Sequence, residues 1–158
     1  MKETIKVERM KLSHRKIYTD ITIDAPAEKV WSVLKDTKTY KNWAVFLTDI
    51  KGELKDGNKI TAKFQLNPSK EKYNSIDHTI QVVEGKSFYW AEKGPMGICD
   101  NHHFKVEVID RNNSRFIQSD ELTKGATFLL GGYLSKVYTK GYQGFNQALK
   151  KEVERRFN

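Results

Sequence analysis

The sequence predicts an α+β domain of the helix-grip type, in which a curved antiparallel sheet of six to seven strands wraps around a long C-terminal helix. The middle of the chain is a run of short segments with alternating apolar and polar residues, separated by turns such as Gly57 and Gly85. The last third places apolar residues at helical spacing. A sheet with one apolar face needs a cover, and this helix is the only predicted element large enough to supply it.

The first strongly patterned segment predicts a strand followed by two short helices. Isoleucines alternate with polar residues over 17–23, which is typical of a half-buried strand. The segment Asp24-Ala25-Pro26 then interrupts the alternation, and Asp24 or Ala25 is expected to cap the first helix. Asp36 is expected to cap the second. The apolar residues of the pair are Ala27, Val30, Trp31, Leu34, Tyr40 and Trp43.

The N-terminal residues 1–16 are basic, polar and weakly patterned, so we expect a tail or a loosely held extra strand ahead of the domain at 17–158. No apolar run follows Met1, and no later run has the length of a membrane span. The lone Cys99 cannot form an internal disulfide bond. These features predict a cytoplasmic location.

The chain of 158 residues carries a net charge of +8, which raises the question of an anionic partner. The lysines are scattered over predicted loops and solvated faces, and arginine, which grips phosphates and reads bases, is scarce. We therefore interpret the charge as a source of solubility. Nucleic-acid binding is not expected, and membrane contact is expected to be at most transient.

The last two strands are predicted to form a hairpin around Asn112-Asn113, because asparagine tolerates the backbone angles of tight turns. Their inner faces would carry His102, Phe104, Val106 and Val108 beside Phe116, Gln118, Asp120 and Leu122. Three polar groups then share an otherwise apolar face. Buried polar groups without partners cost about 1–3 kcal/mol each, so we expect these to bond to each other, to water or to a ligand.

The long helix is predicted to be roughly 30–35 Å in length. Its start is left open, because Gly131-Gly132 would weaken any helical turn that contains it. The apolar stripe consists of Leu134, Val137, Tyr138, Gly141, Tyr142, Phe145, Ala148, Leu149 and Val153.

Three segments in order along the chain resemble the START-like or SRPBCC superfamily, also called Bet v 1-like or polyketide cyclase-like. They are the opening strand-to-helix segment from Ile23 to Trp31, the last hairpin from His102 to Gly125, and the helix segment from Gly144 to Lys150. The resemblance implies a deep apolar cavity that holds a lipid, polyketide, sterol, hormone or aromatic molecule. It does not imply one reaction, since members include carriers, receptors, cyclases and dehydratases.

The residues predicted to line this cavity combine aromatic rings with the polar groups of the hairpin: His78, Phe88, Trp90, His102, Phe104, Gln118, Asp120, Tyr138, Tyr142 and Phe145. His102 and Asp120 are the candidates for acid-base chemistry, and in the predicted register they can pair diagonally. A metal is not expected, because the adjacent His102 and His103 point to opposite faces of a strand. No cofactor motif is present.

The sequence is compatible with three functions. The first is non-catalytic binding of a small apolar or amphipathic molecule, which the lack of a complete catalytic constellation favours. The second is a cyclase, dehydratase or hydrolase that uses His102 and Asp120 inside the cavity. The third is a protein- or membrane-interaction module that uses the basic surface or residues 1–16.

Overall fold

The computed structural model of the chain describes residues 3–157. Within that range it contains nine strands, three α-helices and two single 3₁₀ turns. In chain order the strands and α-helices are β1 (Glu3–Lys11), β2 (His14–Ile23), α1 (Ala27–Lys35), α2 (Tyr40–Trp43), β3 (Leu47–Lys51), β4 (Lys59–Phe64), β5 (Asn74–Thr79), β6 (Gln81–Val83), β7 (Ser87–Lys93), β8 (Cys99–Val108), β9 (Ser114–Thr123) and α3 (Thr127–Phe157). The 3₁₀ turns are Thr37–Thr39 and Pro95–Gly97. The predicted helix-grip fold is confirmed.

The strands form two antiparallel sheets that together grip the long helix. The larger sheet has the order β1-β2-β9-β8-β7-β6, and the smaller one the order β3-β4-β5. The chain passes from the smaller sheet to the larger one at Ile80, between β5 and β6. There the Ile80 N–H donates to the Asn58 carbonyl at 3.0 Å, and the Ile80 carbonyl accepts from the Gly57 N–H at 2.9 Å. The chain therefore leaves one sheet and enters the other within a single residue.

The N-terminal strand β1 lies at the edge of the larger sheet. It pairs with β2 from Glu3 opposite Ile21 to Lys11 opposite His14. Met1 and Lys2 of the predicted tail lie outside the described residues. Among residues 3–157, no helix has the length and apolar character needed to cross a bilayer.

The C-terminal helix α3 is longer than the sequence predicts. Its 31 residues span about 46 Å, and it begins before the two adjacent glycines. Gly131 has a packing role: a β-carbon there would lie 3.2 Å from Cγ of the buried Arg15 on β2. Close packing of β2 against the first turns of the helix therefore offsets the low helix propensity of glycine.

Two details of the helix starts correct the sequence prediction. The residue that caps α1 is Pro26, whose carbonyl accepts from the N–H groups of Lys29 and Val30, at 3.0 and 3.3 Å. The Asp24 carboxylate instead lies 3.2 Å from the Lys150 amine. Asp36 precedes the Thr37–Thr39 turn without a side-chain capping bond, and its carboxylate pairs with Arg156 at 2.9 Å.

The core lies between the sheets and one face of α3. Tyr142, Phe145, Leu149 and Val153 of the predicted stripe are buried in it. The inner residues of the β8–β9 hairpin are buried as well, except Val108, which the sequence places inside and which is 72% exposed. Val108 ends β8 at the hairpin tip, opposite Ser114.

Candidate functional site

A pocket of about 540 Å³ opens at one end of the domain, between the smaller sheet, the β7–β8 loop and the first half of α3. Its wall is mainly aliphatic and aromatic. At the mouth, Leu66, Tyr73 and Met96 are exposed to solvent. Deeper in the pocket the lining includes two polar side chains that are largely buried, Asp100 and His102.

Three of the ten predicted cavity residues line this pocket, namely His102, Tyr138 and Tyr142. Gln118 and Asp120 are buried on β9 without lining it. His78 is buried too and stacks on Trp90, with ring centroids 4.5 Å apart.

The remaining rings fill the interior in which the sequence places the ligand. Phe88 stacks on Phe104 with centroids 4.4 Å apart, and Phe104 contacts Trp90 at 5.1 Å and Phe145 at 6.3 Å. None of these four residues lines the pocket. The open space is therefore displaced from the centre of the grip toward its mouth, because aromatic side chains occupy the centre.

A chain of hydrogen bonds joins the floor of the pocket to the long helix. His102 Nε2 and Gln118 Oε1 are 3.0 Å apart, and Gln118 Nε2 donates to Asn146 Oδ1 at 2.7 Å. Asn146 Nδ2 donates in turn to Thr19 Oγ1 at 3.1 Å. Because Gln118 offers its oxygen to the histidine, Nε2 of His102 carries the proton. Every member of this chain is buried.

His102 bonds to Gln118, another of the three polar groups of the hairpin, and not to Asp120, with which the sequence allows it to pair. The two residues are directly opposite each other on β8 and β9, but the hydrogen bond of His102 runs diagonally to Gln118. Asp120 Oδ2 accepts instead from the Tyr142 hydroxyl at 2.5 Å. A partner on the helix therefore replaces the partner expected across the hairpin.

Asp100 and Asp120 form a pair of buried carboxyl groups beside the pocket. Asp100 lies opposite Leu122, two residues from Asp120 on the same face of the sheet. Burial, together with the charge and hydrogen bond of Asp120, raises the pKa of Asp100 well above its ordinary value. Asp100 is therefore harder to ionise than an exposed carboxyl group, because its own burial and the neighbouring carboxyl group of Asp120 both disfavour the charged form.

The histidines of the site are neutral. Burial lowers the pKa of His102 to about 4, against the opposing effects of Asp120 and Gln118. Burial also lowers the pKa of His78, whose Nδ1 lies 3.9 Å from Glu92 Oε1. Neither ring is a proton donor of the imidazolium kind at neutral pH.

Two residues of the polar floor were not singled out from the sequence. Asp100 lies two positions before His102, so strand alternation already places it on the inner face. Asn146 lies four positions after Tyr142 and beside Phe145, on the helix face that packs on the sheet. The periodicity that identified their neighbours could have found both.

The residues in the described range offer no grouping of three His, Cys, Asp or Glu side chains that could hold a metal ion. His103 lies on the outer face of β8, where its ring stacks on Tyr89 at 4.5 Å. It is therefore separated from His102 by the sheet.

The model of the polyketide cyclase / dehydrase and lipid transport family matches residues 14–154. The chain belongs to this family. That confirms the resemblance to the START-like or SRPBCC superfamily, and the match covers both the sheet and the long helix. No curated protein matches the chain by sequence. As a member of the polyketide cyclase / dehydrase and lipid transport family, the chain has a cavity fold suited to ligand binding.

Solved structures with the same fold include members with different activities. The aromatase/cyclase ZhuI from Streptomyces sp. R1128 superposes with a TM-score of 0.72 at 16% identity, over 92% of this chain and 96% of ZhuI. A START superfamily protein from Mycobacterium smegmatis gives a TM-score of 0.70 at 13% identity, over 89% and 97%. Norcoclaurine synthase from Thalictrum flavum, in complex with dopamine and hydroxybenzaldehyde, gives 0.65 at 16% identity, over 92% and 89%. At these identities the likeness establishes the fold alone.

Proposed function

We propose that this chain binds a small, mostly apolar molecule in the pocket and releases it chemically unchanged. The observation that carries the proposal is the pocket itself, about 540 Å³ in volume, with an apolar wall and a polar floor. Sites for small molecules have this composition, in which the apolar wall supplies affinity and a few polar groups set orientation.

The hydrogen bonds of the floor favour binding over catalysis. His102 and Asp120, the two candidates for acid-base chemistry, are engaged by Gln118 and Tyr142. With a pKa of about 4, His102 is a poor base at neutral pH. The arrangement is therefore one of fixed polar groups that orient a ligand.

The test compares two tryptophan substitutions on α3, with 1-octanol as the apolar probe and calorimetry as the measurement. Leu134→Trp puts a larger side chain into the pocket wall, and we expect it to weaken octanol binding about tenfold or more. Leu129→Trp is the control, because Leu129 is 70% exposed and does not line the pocket. Equal affinities in the two variants, or no binding to the natural chain, would contradict the proposal.

A second candidate is an enzyme of the cyclase, dehydratase or hydrolase type. One observation favours it: Asp100 lines the pocket, and its raised pKa makes it a candidate proton donor to a bound molecule. Molecules that co-purify with the chain distinguish the two functions. They are released, identified by mass spectrometry and incubated with fresh protein. A binder returns them unchanged, whereas an enzyme converts them at a rate that Asp100→Asn lowers.

A further inference from the structure

The charge inside the pocket is opposite in sign to that of the chain. The whole sequence carries +8, yet among the described residues that line the pocket there is no lysine or arginine. The acidic residue of the lining is Asp100, and Asp120 lies behind it on the same face of the sheet.

A third carboxyl group adds to this negative environment. Glu92 on β7 is directly opposite Asp100 in the register. Its Oε1 accepts from the Thr79 N–H at 3.3 Å and lies 3.9 Å from Nδ1 of the neutral His78. Three neighbouring strands, β7, β8 and β9, therefore each contribute one carboxyl group at this end of the domain.

These acids lack a cationic partner within the described part of the chain. In that part of the chain neither Asp100 nor Asp120 forms an ion pair, and the one ion pair of Glu92 is with His78. Arg15, the buried cation on the inner face of β2, directs its Nη1 to the carbonyls of Lys11, Leu12 and His14 at 2.6, 3.0 and 3.2 Å. A buried negative charge without a counter-ion is unfavourable, so a ligand that supplies a positive charge gains binding energy here.

We infer that the pocket selects a molecule with an apolar body and a basic amine at its polar end, and disfavours carboxylate and phosphate ends. This inference rests on the proposed binding function and names its ligand class. The ammonium group donates to the Asp100–Asp120 pair, while the apolar body lies against the aliphatic and aromatic wall. An anionic end would face the same pair with like charge and without a cation to offset it.

Three probes with the same eight-carbon chain isolate the effect of the polar end: octylamine, 1-octanol and octanoate, each titrated calorimetrically into the full chain at neutral pH. We expect octylamine to bind tightest and octanoate weakest, and we expect the dissociation constants of these two to differ about tenfold or more. Because the three probes share the eight-carbon tail, the apolar wall contributes equally to their affinities.

The variant Asp100→Asn/Asp120→Asn removes the charge and keeps the shape, since an asparagine oxygen still accepts from the Tyr142 hydroxyl. We expect it to lose the preference for octylamine over octanoate. Asp77→Asn is the control. Asp77 is exposed on β5, bonds to Thr61 at 2.7 Å and does not line the pocket, so its removal should leave the order of affinities unchanged.

The outcomes separate this inference from the proposed function. Octanoate binding as tightly as octylamine would overturn the inference, and octanol binding would still uphold a pocket for apolar molecules. Failure of all three probes to bind would overturn both. If the double variant does not fold, the ratio of octylamine to octanoate affinity on the natural chain decides the question alone.

Discussion

Gly141 on α3 leaves the space that the ring of Phe46 occupies. A β-carbon at position 141 would lie 2.2 Å from Cδ2 of Phe46, which is closer than two such atoms can approach. Phe46 has a positive φ of 68° and lines the pocket, with its ring centroid 5.5 Å from Tyr142 and 5.9 Å from Tyr138. The missing side chain on the helix therefore lets an aromatic residue from the loop before β3 complete the pocket wall.

Substitution Gly141→Ala should displace Phe46 and lower the free energy of unfolding by about 1–3 kcal/mol, despite the better helix propensity of alanine. Urea denaturation measures the change. Gly132→Ala is the matched control on the same helix, because no atom lies within 4 Å of a β-carbon there. It should stabilise the chain by about 0.5–1 kcal/mol. Equal stabilisation by both substitutions would show that Phe46 does not pack on Gly141.

Asn146 holds the hydrogen-bond chain of the polar floor together, since it bonds to both Gln118 and Thr19. Asn146→Ala should cost about 1–3 kcal/mol of unfolding free energy, because it removes two buried hydrogen bonds, one to Thr19 and one to Gln118. Gln118 keeps its bonds to the Tyr142 carbonyl and to His102. Gln147→Ala, at the exposed neighbouring position, should change stability by no more than about 0.5 kcal/mol. A small effect at Asn146, equal to that at Gln147, would mean that water replaces the lost bonds.

The buried neutral His102 should make the fold less stable in acid. Its pKa falls from 6.5 to about 4 on folding, so the unfolded chain binds the proton first as the pH drops. The contribution of His102 is fully present above pH 6.5 and is lost as the pH falls toward 4. Between pH 7 and pH 5 the natural chain should lose about 2 kcal/mol more than His102→Gln. Parallel pH profiles from chemical denaturation would contradict the burial of a neutral ring.

Asp100 should produce the opposite pH dependence. Its pKa is raised in the fold by burial and by Asp120, so the folded chain keeps a proton that the unfolded chain releases. This stability is present below the ordinary carboxyl pKa of 3.8 and is lost as the pH rises through the folded value. Asp100→Asn should therefore be more stable than the natural chain at neutral and alkaline pH, with a difference that shrinks in acid. Asp77→Asn, which removes an exposed carboxyl group on β5, is the control.

Much of the fold could be predicted from local patterns. Ile17, Ile21 and Ile23 are buried, as the two-residue period of a strand requires. The helical stripe of Tyr142, Phe145, Leu149 and Val153 is also buried, as its spacing of three to four residues requires. The start of α3 could not be predicted in this way. It depends on the fit of Gly131 against Arg15, which is a contact between two distant segments.

Local sequence patterns predict only part of the candidate site. Alternation identified the inner face of the hairpin and, through it, His102, Gln118 and Asp120. It did not identify their partners, because Tyr142 and Asn146 reach them from the helix. Nor did it identify the true position of the pocket, since that depends on how closely Phe88, Trp90, Phe104 and Phe145 pack.

The class of fold, the family and the faces that meet in the core can all be predicted from the sequence, because they follow from periodicity and motif order along one chain. The tertiary contacts decide which buried polar groups bond to each other, that Asp100 is buried beside Asp120, and where open space remains. Those properties depend on distances of a few ångströms between side chains on separate elements. Periodicity along one segment carries no information about such distances.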